Sequence, residues 1–359
     1  MEIAIIGGGH GCYAAAAELS EKGHNVRLWR RDTGALESVR EQGILLRDYQ
    51  GERDVPIALA TGDLAEAVRG ADLLVMPLPA TTHESLAKQM ATLWEDHQVA
   101  FIPPGTFGGY LFARAKYEAG NRCGVAFCET GTLPYLARKH GAREVVVSAY
   151  GKHLPTGVWP AADSDRARAV IAEAYPAVEP AHDLLAGALL NAGPVIHPPL
   201  IIMNAGPLQH FEHWDIHNEG TQTTIRNVTD ALDAERVAVR EAFGYGAPHY
   251  PLADHYASEG DEWMYGRGAH DKLTDSGDWR EDIDLFQHRY MLEDTRLGLS
   301  FLVSAGRYAG VATPVAAGLL AIASAMIGRD LYSEGRTFES LGLADQPRQS
   351  LAQLLEQGF

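Results

Sequence analysis

The sequence has little positive charge, little cysteine and no long apolar run. Its 30 Lys and Arg residues face 47 Asp and Glu residues, which gives a net charge of −17. So acidic a chain lacks the basic surface that binds nucleic-acid phosphates or anionic lipid, and we expect neither a nucleic-acid nor a membrane partner. No apolar run reaches the roughly 18 residues of a membrane span, and the longest candidate, residues 311–327, contains Pro314 and predicts a buried helix.

Cysteine usage and the first residues predict a cytoplasmic location. The chain has three cysteines, an odd number without metal-ligand spacing: Cys12, Cys123 and Cys128. This usage is typical of reduced thiols. The first residues, MEIAII, run into a glycine cluster without a basic segment, so no signal peptide is expected. A length of 359 residues with 46% hydrophobic content fits two globular domains.

The first half of the chain alternates short β-branched runs with helical patterns. Strands are predicted at residues 2–6, 26–30, 72–76, 98–102, 124–127 and 144–149, and helices at 10–21, 33–42 and 82–93. Strands separated by helix-length segments form βαβ units. The fold class is therefore α/β, with a Rossmann-type, doubly wound parallel sheet in a domain over residues 1–183.

The second half, residues 184–359, predicts an all-helical domain. Helical periodicity covers 221–243, 286–308 and 316–327, and almost no strand pattern remains. Between the first two helices, residues 253–284 are acidic, aromatic and dotted with glycine. We expect a long functional loop or cleft edge there.

A glycine-rich loop lies between the first strand and the first helix. It runs Gly7-Gly8-Gly9-His10-Gly11-Cys12, the context of a dinucleotide site. Gly7 permits the tight turn, and Gly9 lets a pyrophosphate approach the N-terminus of the helix. Cys12 occupies the third small position. The predicted cofactor-binding residues of the loop are Gly7, Gly9, His10, Gly11 and Cys12.

The end of the second strand predicts which dinucleotide binds. Arg30 and Arg31 stand where an NAD site carries an acid, and two guanidiniums suit a 2′-phosphate. NADP(H) is therefore the preferred cofactor. In the alternative, Asp32 meets the ribose and the cofactor is NAD(H). Loops after later strands add Pro79 as a cofactor contact and Thr106 as a substrate donor.

The region where the domains meet supplies candidate chemistry. Residues 191–199, NAGPVIHPP, interrupt a helical stretch and expose Asn191 and His197 in apolar surroundings. A second group, His210, His213 and His217, falls on one helical face. We expect no metal there, because neither an HExxH pattern nor a cysteine pair accompanies it, and these residues with Trp214 line the substrate cleft or cover the helix.

Across nearly the whole chain the sequence resembles the opine dehydrogenase family. The elements that carry the resemblance are the glycine loop, the Pro-Gly-Thr-x-Gly-Gly loop at 104–109, Glu129-Thr130, Asn-x-x-Pro-x-x-His-Pro at 191–198, Glu219-Gly220, Asp233-Ala234-Glu235-Arg236, Arg289-Tyr290 with Glu293-Asp294, and Glu334-Gly335-Arg336-Thr337 with Leu341-Gly342-Leu343. The His-Pro and Arg-Tyr…Glu-Asp elements in this order are the most specific. His10 departs from the family, since several relatives carry asparagine there.

The resemblance implies that an α-amino acid and an α-keto acid such as pyruvate condense to an imine, which NAD(P)H reduces. It further implies that His197 and Asp294 form the catalytic pair and that Arg289 holds a substrate carboxylate. From their places in the loops, Asn191 and Thr106 are predicted to contact substrate as well. Histidine suits proton transfer near neutral pH. The spacing of five between Arg289 and Asp294, if α-helical, sets them about 140° apart, on two sides of a cleft.

Two other interpretations stay open. A 2-hydroxyacid or ketopantoate-type reductase shares this domain pattern but usually relies on a lysine, and residues 191–330 contain only Lys272. A non-catalytic NADPH-sensing protein would have a broken catalytic set, whereas His197, Arg289 and Asp294 are all present. The chain is also compatible with a homodimer.

Overall fold

The computed structural model describes all 359 residues, which form two compact units. The first unit contains Met1–Leu78, Thr82–Ala188 and Gln353–Phe359, and the second contains Pro79–Thr81 and Leu189–Ala352. The predicted division at residue 183 therefore differs from the observed one by about five residues. It also differs in two short segments, because residues 79–81 belong to the second unit and residues 353–359 to the first.

All twelve strands lie in the first unit. They are β1 (Glu2–Ile6), β2 (Asn25–Trp29), β3 (Ile44–Asp48), β4 (Gly51–Val55), β5 (Leu59–Thr61), β6 (Leu73–Val75), β7 (Val99–Ile102), β8 (Ala126–Thr130), β9 (Tyr135–His140), β10 (Glu144–Tyr150), β11 (Leu154–Trp159) and β12 (Val178–Pro180). Eight form one sheet in the order β12-β11-β8-β7-β6-β1-β2-β5, and four form another in the order β4-β3-β10-β9.

The prediction of a parallel Rossmann-type sheet holds for the central strands and is wrong at one junction. Strands β5, β2, β1, β6, β7 and β8 pair in parallel, but β11 runs antiparallel to β8, with Thr156 opposite Thr130. The sheet is therefore mixed. The second sheet was not predicted, since β3 and β4 form a hairpin with exposed charged residues instead of an apolar run.

Helices cover the large sheet of the first unit. They are α1 (His10–Glu21), α2 (Glu37–Gln42), α3 (Leu64–Val68), α4 (His83–Met90), α5 (Gly108–Glu118), α6 (Ser164–Ala174) and α7 (Leu184–Ala188), with short 3₁₀ turns at Gly34–Leu36, Ala80–Thr82 and Ala161–Asp163. Helix α1 has the bounds predicted from the sequence. Four consecutive alanines, residues 14–17, are fully buried in it, so its backbone packs closely on the strands.

The second unit contains only helices, as predicted. They are α8 (Gly193–Met203), α9 (Ala205–His210), α10 (Thr223–Ala242), α11 (Ala253–Tyr256), α12 (Ala269–Asp275), a π-helix (Tyr290–Leu299), α13 (Ser300–Ala309), α14 (Pro314–Ile327) and the first half of α15 (Arg348–Gln357). The second half of α15, from Gln353, belongs to the first unit. Apart from α11 and α12, residues 253–284 are irregular, in agreement with the predicted loop. The predicted helix over residues 286–308 is in fact the π-helix followed by α13.

One apolar stretch corrects the sequence-based survey of membrane spans. Leu184–Met203 is long and apolar enough, by length and composition, to cross a membrane. In the structure 78% of its apolar window is buried inside the protein. Such burial is typical of core helices, and here the stretch contains both α7 and α8.

Candidate active site

The glycine loop of the first unit has the backbone that a dinucleotide needs. Gly7 has φ +126°, and a Cβ there would meet the Leu78 and Cys12 side chains, so only glycine fits. Gly9 is the N-cap of α1, no side chain caps the helix, and a Cβ on Gly9 would meet nothing within 4 Å. The open space lies at the N-terminus of α1, where the N–H groups of a helix lack acceptors within the helix itself, and it fits a pyrophosphate.

Two predicted loop residues have their side chains in structural contacts. The Nδ1 of His10 accepts a hydrogen bond of 2.7 Å from the Lys139 amide, which ties the start of α1 to β9. The Cys12 thiol is fully buried and contacts the carbonyl oxygens of Ile6 and Pro77 at 3.6 and 3.7 Å. Burial raises the pKa of the Cys12 thiol to about 12, so it stays protonated. Their part in cofactor binding remains a prediction that involves backbone and packing.

Arg30 lies directly over the glycine loop. Its guanidinium donates to the Tyr13 hydroxyl at 3.1 Å, forms an ion pair with Asp32 at 3.5 Å, and would touch a Cβ on Gly8. The next residue, Arg31, is exposed. Arg30, predicted from the sequence to bind the cofactor, therefore lies at the loop, and its guanidinium is held by Tyr13 and Asp32.

A buried carboxylate, Glu129, holds the Pro-Gly-Thr loop. Glu129 lies near the end of β8, the strand that pairs with β7. Its two oxygens accept hydrogen bonds from the amides of Phe107 at 2.8 Å and Gly109 at 2.6 Å. Thr106 and Phe107 both have positive φ, 51° and 61°, so this backbone is strained and needs fixing. Thr106 itself is buried, 3% exposed, and its predicted contact with substrate remains untested.

Replacing Glu129 with glutamine is expected to lower the free energy of unfolding by about 1–3 kcal/mol, because one buried amide loses its acceptor. Thermal and urea unfolding measure the change. The matched control is Glu118→Gln, an exposed glutamate on α5, for which a change within about 0.5 kcal/mol is expected. Equal stability of the two variants would contradict the structural role of Glu129.

Asn191 lies just before α8, and His197 lies within its N-terminal half. The Asn191 Oδ1 accepts a hydrogen bond of 3.0 Å from the Gly193 amide and so holds the first turn. The prediction that the prolines interrupt the helix is wrong in detail: the break lies before Gly193, and α8 continues through Pro198 and Pro199. This side-chain oxygen thus has a local structural partner, and substrate binding by Asn191 remains a prediction.

The His197 and Asp294 side chains, 97 residues apart in sequence, meet in the second unit. The Nδ1 of His197 lies 2.8 Å from Oδ2 of Asp294, with side chains 13% and 4% exposed. Two glycines allow α8 and the π-helix to approach this closely. A Cβ on Gly193 would collide with Asp294, and a Cβ on Gly298 would collide with Pro194. The sequence-predicted pair is thus brought together in hydrogen-bond contact.

The surroundings of the pair control its proton and its orientation. The Tyr290 ring stacks on the His197 ring, with centroids 3.7 Å apart and planes at 15°, and so fixes the plane of the imidazole. Burial raises the pKa of Asp294 to about 7, while Arg289 and His288 oppose the shift. Near neutral pH, His197 Nδ1 and the Asp294 carboxyl can consequently share one proton in a hydrogen bond.

Arg289 does not lie across a cleft from Asp294 as an α-helix would set it. The segment from Tyr290 is a π-helix, whose i→i+5 bonding brings residues five apart onto one side. The Arg289 Nε instead forms an ion pair of 3.5 Å with the buried carboxylate of Glu293. The Arg289 side chain is 44% exposed, so its guanidinium is accessible to a ligand.

Glu293 also fixes the short segment that begins at Pro79. Its Oε1 accepts a hydrogen bond of 2.7 Å from the Ala80 amide, and Arg336 donates to the Ala80 carbonyl at 3.0 Å. Burial raises the pKa of Glu293, and Asp294 adds to that effect while Arg289 opposes it. Pro79 was predicted in the N-terminal domain, but its segment packs in the second unit. Its contact with cofactor remains a prediction.

The three histidines at 210, 213 and 217 do not share a helical face, which corrects that prediction. Helix α9 ends at His210, and the two others follow in an irregular segment. No group of three or more His, Cys, Asp or Glu residues is arranged to hold a metal ion. His217 is buried and its ring contacts the rings of His197 and Trp279 edge-on, at 5.9 and 5.7 Å.

Three contributors to these sites had no role assigned from the sequence: Tyr290, Glu293 and Glu129. Each lies beside a residue or within a motif already singled out. The signal for Glu129 was an acid at the end of a predicted strand. Tyr290 and Glu293 had only their positions in the Arg-Tyr…Glu-Asp element. Lys272, the lysine that a ketopantoate-type reductase would need, is exposed on α12.

Comparison with known proteins finds a family match in each half of the chain. Residues 180–327 match the model of the NAD/NADP octopine/nopaline dehydrogenase α-helical domain, and residues 2–103 match the N-terminus of NAD-dependent glycerol-3-phosphate dehydrogenase. An opine dehydrogenase of Arthrobacter sp. (strain 1C) is 28% identical over 348 residues, 95% of each chain.

Solved structures show the same fold. An octopine dehydrogenase in complex with NADH and agmatine superposes with a TM-score of 0.73 at 18% identity, covering 99% of this chain and 98% of that one. A yersinopine dehydrogenase with bound NADP⁺ gives a TM-score of 0.67 at 17% identity, covering 100% of this chain and 98% of that one.

Proposed function

Because the chain belongs to the opine dehydrogenase family, we propose that it catalyses the NAD(P)H-dependent reductive condensation of an α-amino acid with an α-keto acid. The amine attacks the keto carbon, the carbinolamine loses its hydroxyl as water, and reduction of the resulting imine gives an N-(carboxyalkyl)amino acid. The observation that carries this proposal is the His197–Asp294 contact of 2.8 Å in the second unit.

His197 acts as the proton donor and acceptor. Its Nδ1 faces Asp294, so Nε2 is the nitrogen available to substrate. A protonated imidazole gives its proton to the departing hydroxyl of the carbinolamine, and the neutral ring then accepts one from the ammonium of the next amino acid. Tyr290 keeps the ring plane fixed during this exchange.

Arg289 binds a substrate carboxylate. Its guanidinium is 44% exposed and contacts Glu293 through a long ion pair of 3.5 Å, which leaves the fork accessible. Glu293, four residues after Arg289, fixes the position of the guanidinium through this ion pair. A lysine at this position would provide charge without the bidentate geometry.

Residues of the first unit hold the dinucleotide. Bound NAD(P)H supplies the hydride that reduces the imine. Gly7 and Gly9 leave room for its pyrophosphate at the N-terminus of α1. We propose NADP(H) as the preferred form, because Arg30 is held over the loop by Tyr13 and Arg31 is exposed beside it. Both guanidiniums suit a 2′-phosphate.

Replacing Arg30 and Arg31 together with alanine is expected to weaken NADPH binding by about 10²–10⁴-fold, since each of the two charge-assisted contacts contributes about 1.5–3 kcal/mol. NADH affinity should stay nearly the same. Fluorescence titration with both dinucleotides measures the two Kd values. Arg168→Ala, a surface arginine paired with Asp165, is the matched control. An unchanged ratio of the two affinities would favour the alternative in which Asp32 meets the ribose of NAD(H).

Supplying pyruvate together with a panel of α-amino acids is the direct test of the proposed reaction. With at least one amino acid, NADPH oxidation is expected to exceed the rate with pyruvate alone by more than tenfold. Mass spectrometry should find the condensed product, amino acid plus keto acid minus one oxygen. Oxidation that is equal with and without amino acid would indicate a ketone reductase. Cofactor binding without turnover on any pair, with several keto acids tried, would indicate the NADPH-sensing alternative.

A further inference from the structure

The first unit contains a cavity that the proposed reaction does not use. It has a volume of about 360 Å³, within the range of roughly 300–1,000 Å³ typical of small-molecule sites. The lining combines aromatic rings with two cations, and the residues that matter here are Lys116, Arg122, Cys123, Phe127, Trp159 and Phe359.

The cavity and the glycine loop lie at opposite ends of the parallel strands of the large sheet. Residues 122–125, which line it, directly precede β8, whereas the glycine loop follows the end of β1. Strands β1, β6, β7 and β8 all run parallel, so these two places are at opposite ends of the strands. A ligand in the cavity would therefore not compete with the dinucleotide.

One wall of the cavity is aromatic. The Phe359 ring lies 5.4 Å from the Trp159 ring and 5.1 Å from the Tyr117 ring, centroid to centroid. Phe127 and Trp159 are almost fully buried, at 1% and 3% exposure, and close the floor of the cavity, whereas Phe359 is 45% exposed and offers ring surface to a ligand. Flat faces of this kind stack on an aromatic group.

The other wall carries two cations that hydrogen-bond backbone carbonyls, and the Arg122 guanidinium also lies 4.1 Å from the centroid of the Tyr117 ring. The Lys116 ammonium donates to the Asn121 carbonyl at 3.3 Å, and Arg122 donates to the Tyr117 and Asn121 carbonyls, so neither cation hydrogen-bonds a carboxylate. Burial lowers the pKa of Lys116 and Arg122 lowers it further, although the Cys123 thiol and Asp96 act in the opposite direction. An anion between the two cations would relieve their repulsion.

We propose that this cavity binds a small aromatic carboxylate, with its carboxylate between Lys116 and Arg122 and its ring against Phe359. Asp163, which also lines the cavity, does not oppose this, because Arg166 holds its carboxylate through hydrogen bonds. No residue of the glycine loop lines the cavity.

Cys123 reports occupancy of the cavity. It is partly exposed, whereas Cys12 and Cys128 are fully buried, so alkylation of the native protein by iodoacetamide should label Cys123 first. Phenylacetate at saturation is expected to slow this labelling at least tenfold. Acetate and benzyl alcohol, which each supply one half of the chemistry, should slow it less than twofold, and NADPH should have no effect.

The same ligands are titrated by calorimetry, which does not depend on thiol reactivity. The double variant Lys116→Gln, Arg122→Gln is expected to raise the Kd for phenylacetate at least tenfold while the Kd for NADPH stays unchanged. The matched control is Arg114→Gln, an arginine of the same helix that does not line the cavity. Equal binding of acetate and phenylacetate, full affinity in the double variant, or no binding of phenylacetate would each overturn the proposal.

Discussion

Replacing His197 with alanine is expected to lower kcat for the condensation by about 10²–10⁴-fold, the range of a positioned general acid–base group. The reason is chemical, because the carbinolamine hydroxyl is a poor leaving group unless it is protonated. The Kd for NADPH should stay nearly unchanged, since the glycine loop, the proposed dinucleotide site, belongs to the first unit. Steady-state kinetics and fluorescence titration measure the two effects.

A structural role for His197 would give a different result. The ring is stacked on Tyr290 and only 13% of the side chain is exposed, so its removal leaves a small void in the second unit. If that void were the whole effect, the melting temperature would fall and kcat of the folded fraction would be preserved. His213→Ala, which removes an exposed histidine, controls for nonspecific changes.

The parts of the fold that could be predicted are those in which local pattern and final contacts agree. Helix α1 has the predicted bounds because Gly9 starts it, alanines fill its buried face and Gly23 follows its end. The central strands are buried on both faces, so each is a continuous apolar run. Strand β4 was missed because it is largely charged and exposed, and β3 because its apolar run is only three residues long and ends in Arg47 and Asp48.

The helix that carries Asp294 shows what local pattern does not determine. The apolar periodicity over residues 286–308 predicted a helix there but not a π-helical start. The i→i+5 bonding brings residues five apart, such as Arg289 and Asp294, closer to one side than the roughly 140° of an α-helix. The meeting of His197 with Asp294 depends on the close crossing at Gly193 and Gly298, which is a tertiary property. Only the family resemblance brought those two residues together in advance.

Replacing Asp294 with asparagine is expected to lower kcat/KM by about 10²–10⁴-fold, because the amide offers an N–H to Nδ1, which leaves the ring proton on Nε2 and prevents Nε2 from accepting one from substrate. Asp294 acts through His197, so the pH profile is the more specific readout. In the wild type the pair retains a proton up to about pH 7, where burial sets the pKa of Asp294. Without the carboxylate, the activity of the variant should fall at a pH about one unit lower or more.

Stability provides an independent check on the same carboxyl. Its pKa is raised from 3.8 to about 7 on folding, so between those values the unfolded chain binds fewer protons than the native protein. The contribution of Asp294 to stability is therefore greatest below pH 4 and is lost as the pH rises toward 7. The melting temperature of Asp294→Asn, measured relative to wild type, should consequently rise from pH 4 to pH 8. Asp230→Asn, an exposed control on α10, should show no such trend. A parallel pH dependence of all three proteins would mean that Asp294 is not the buried, proton-holding partner of His197.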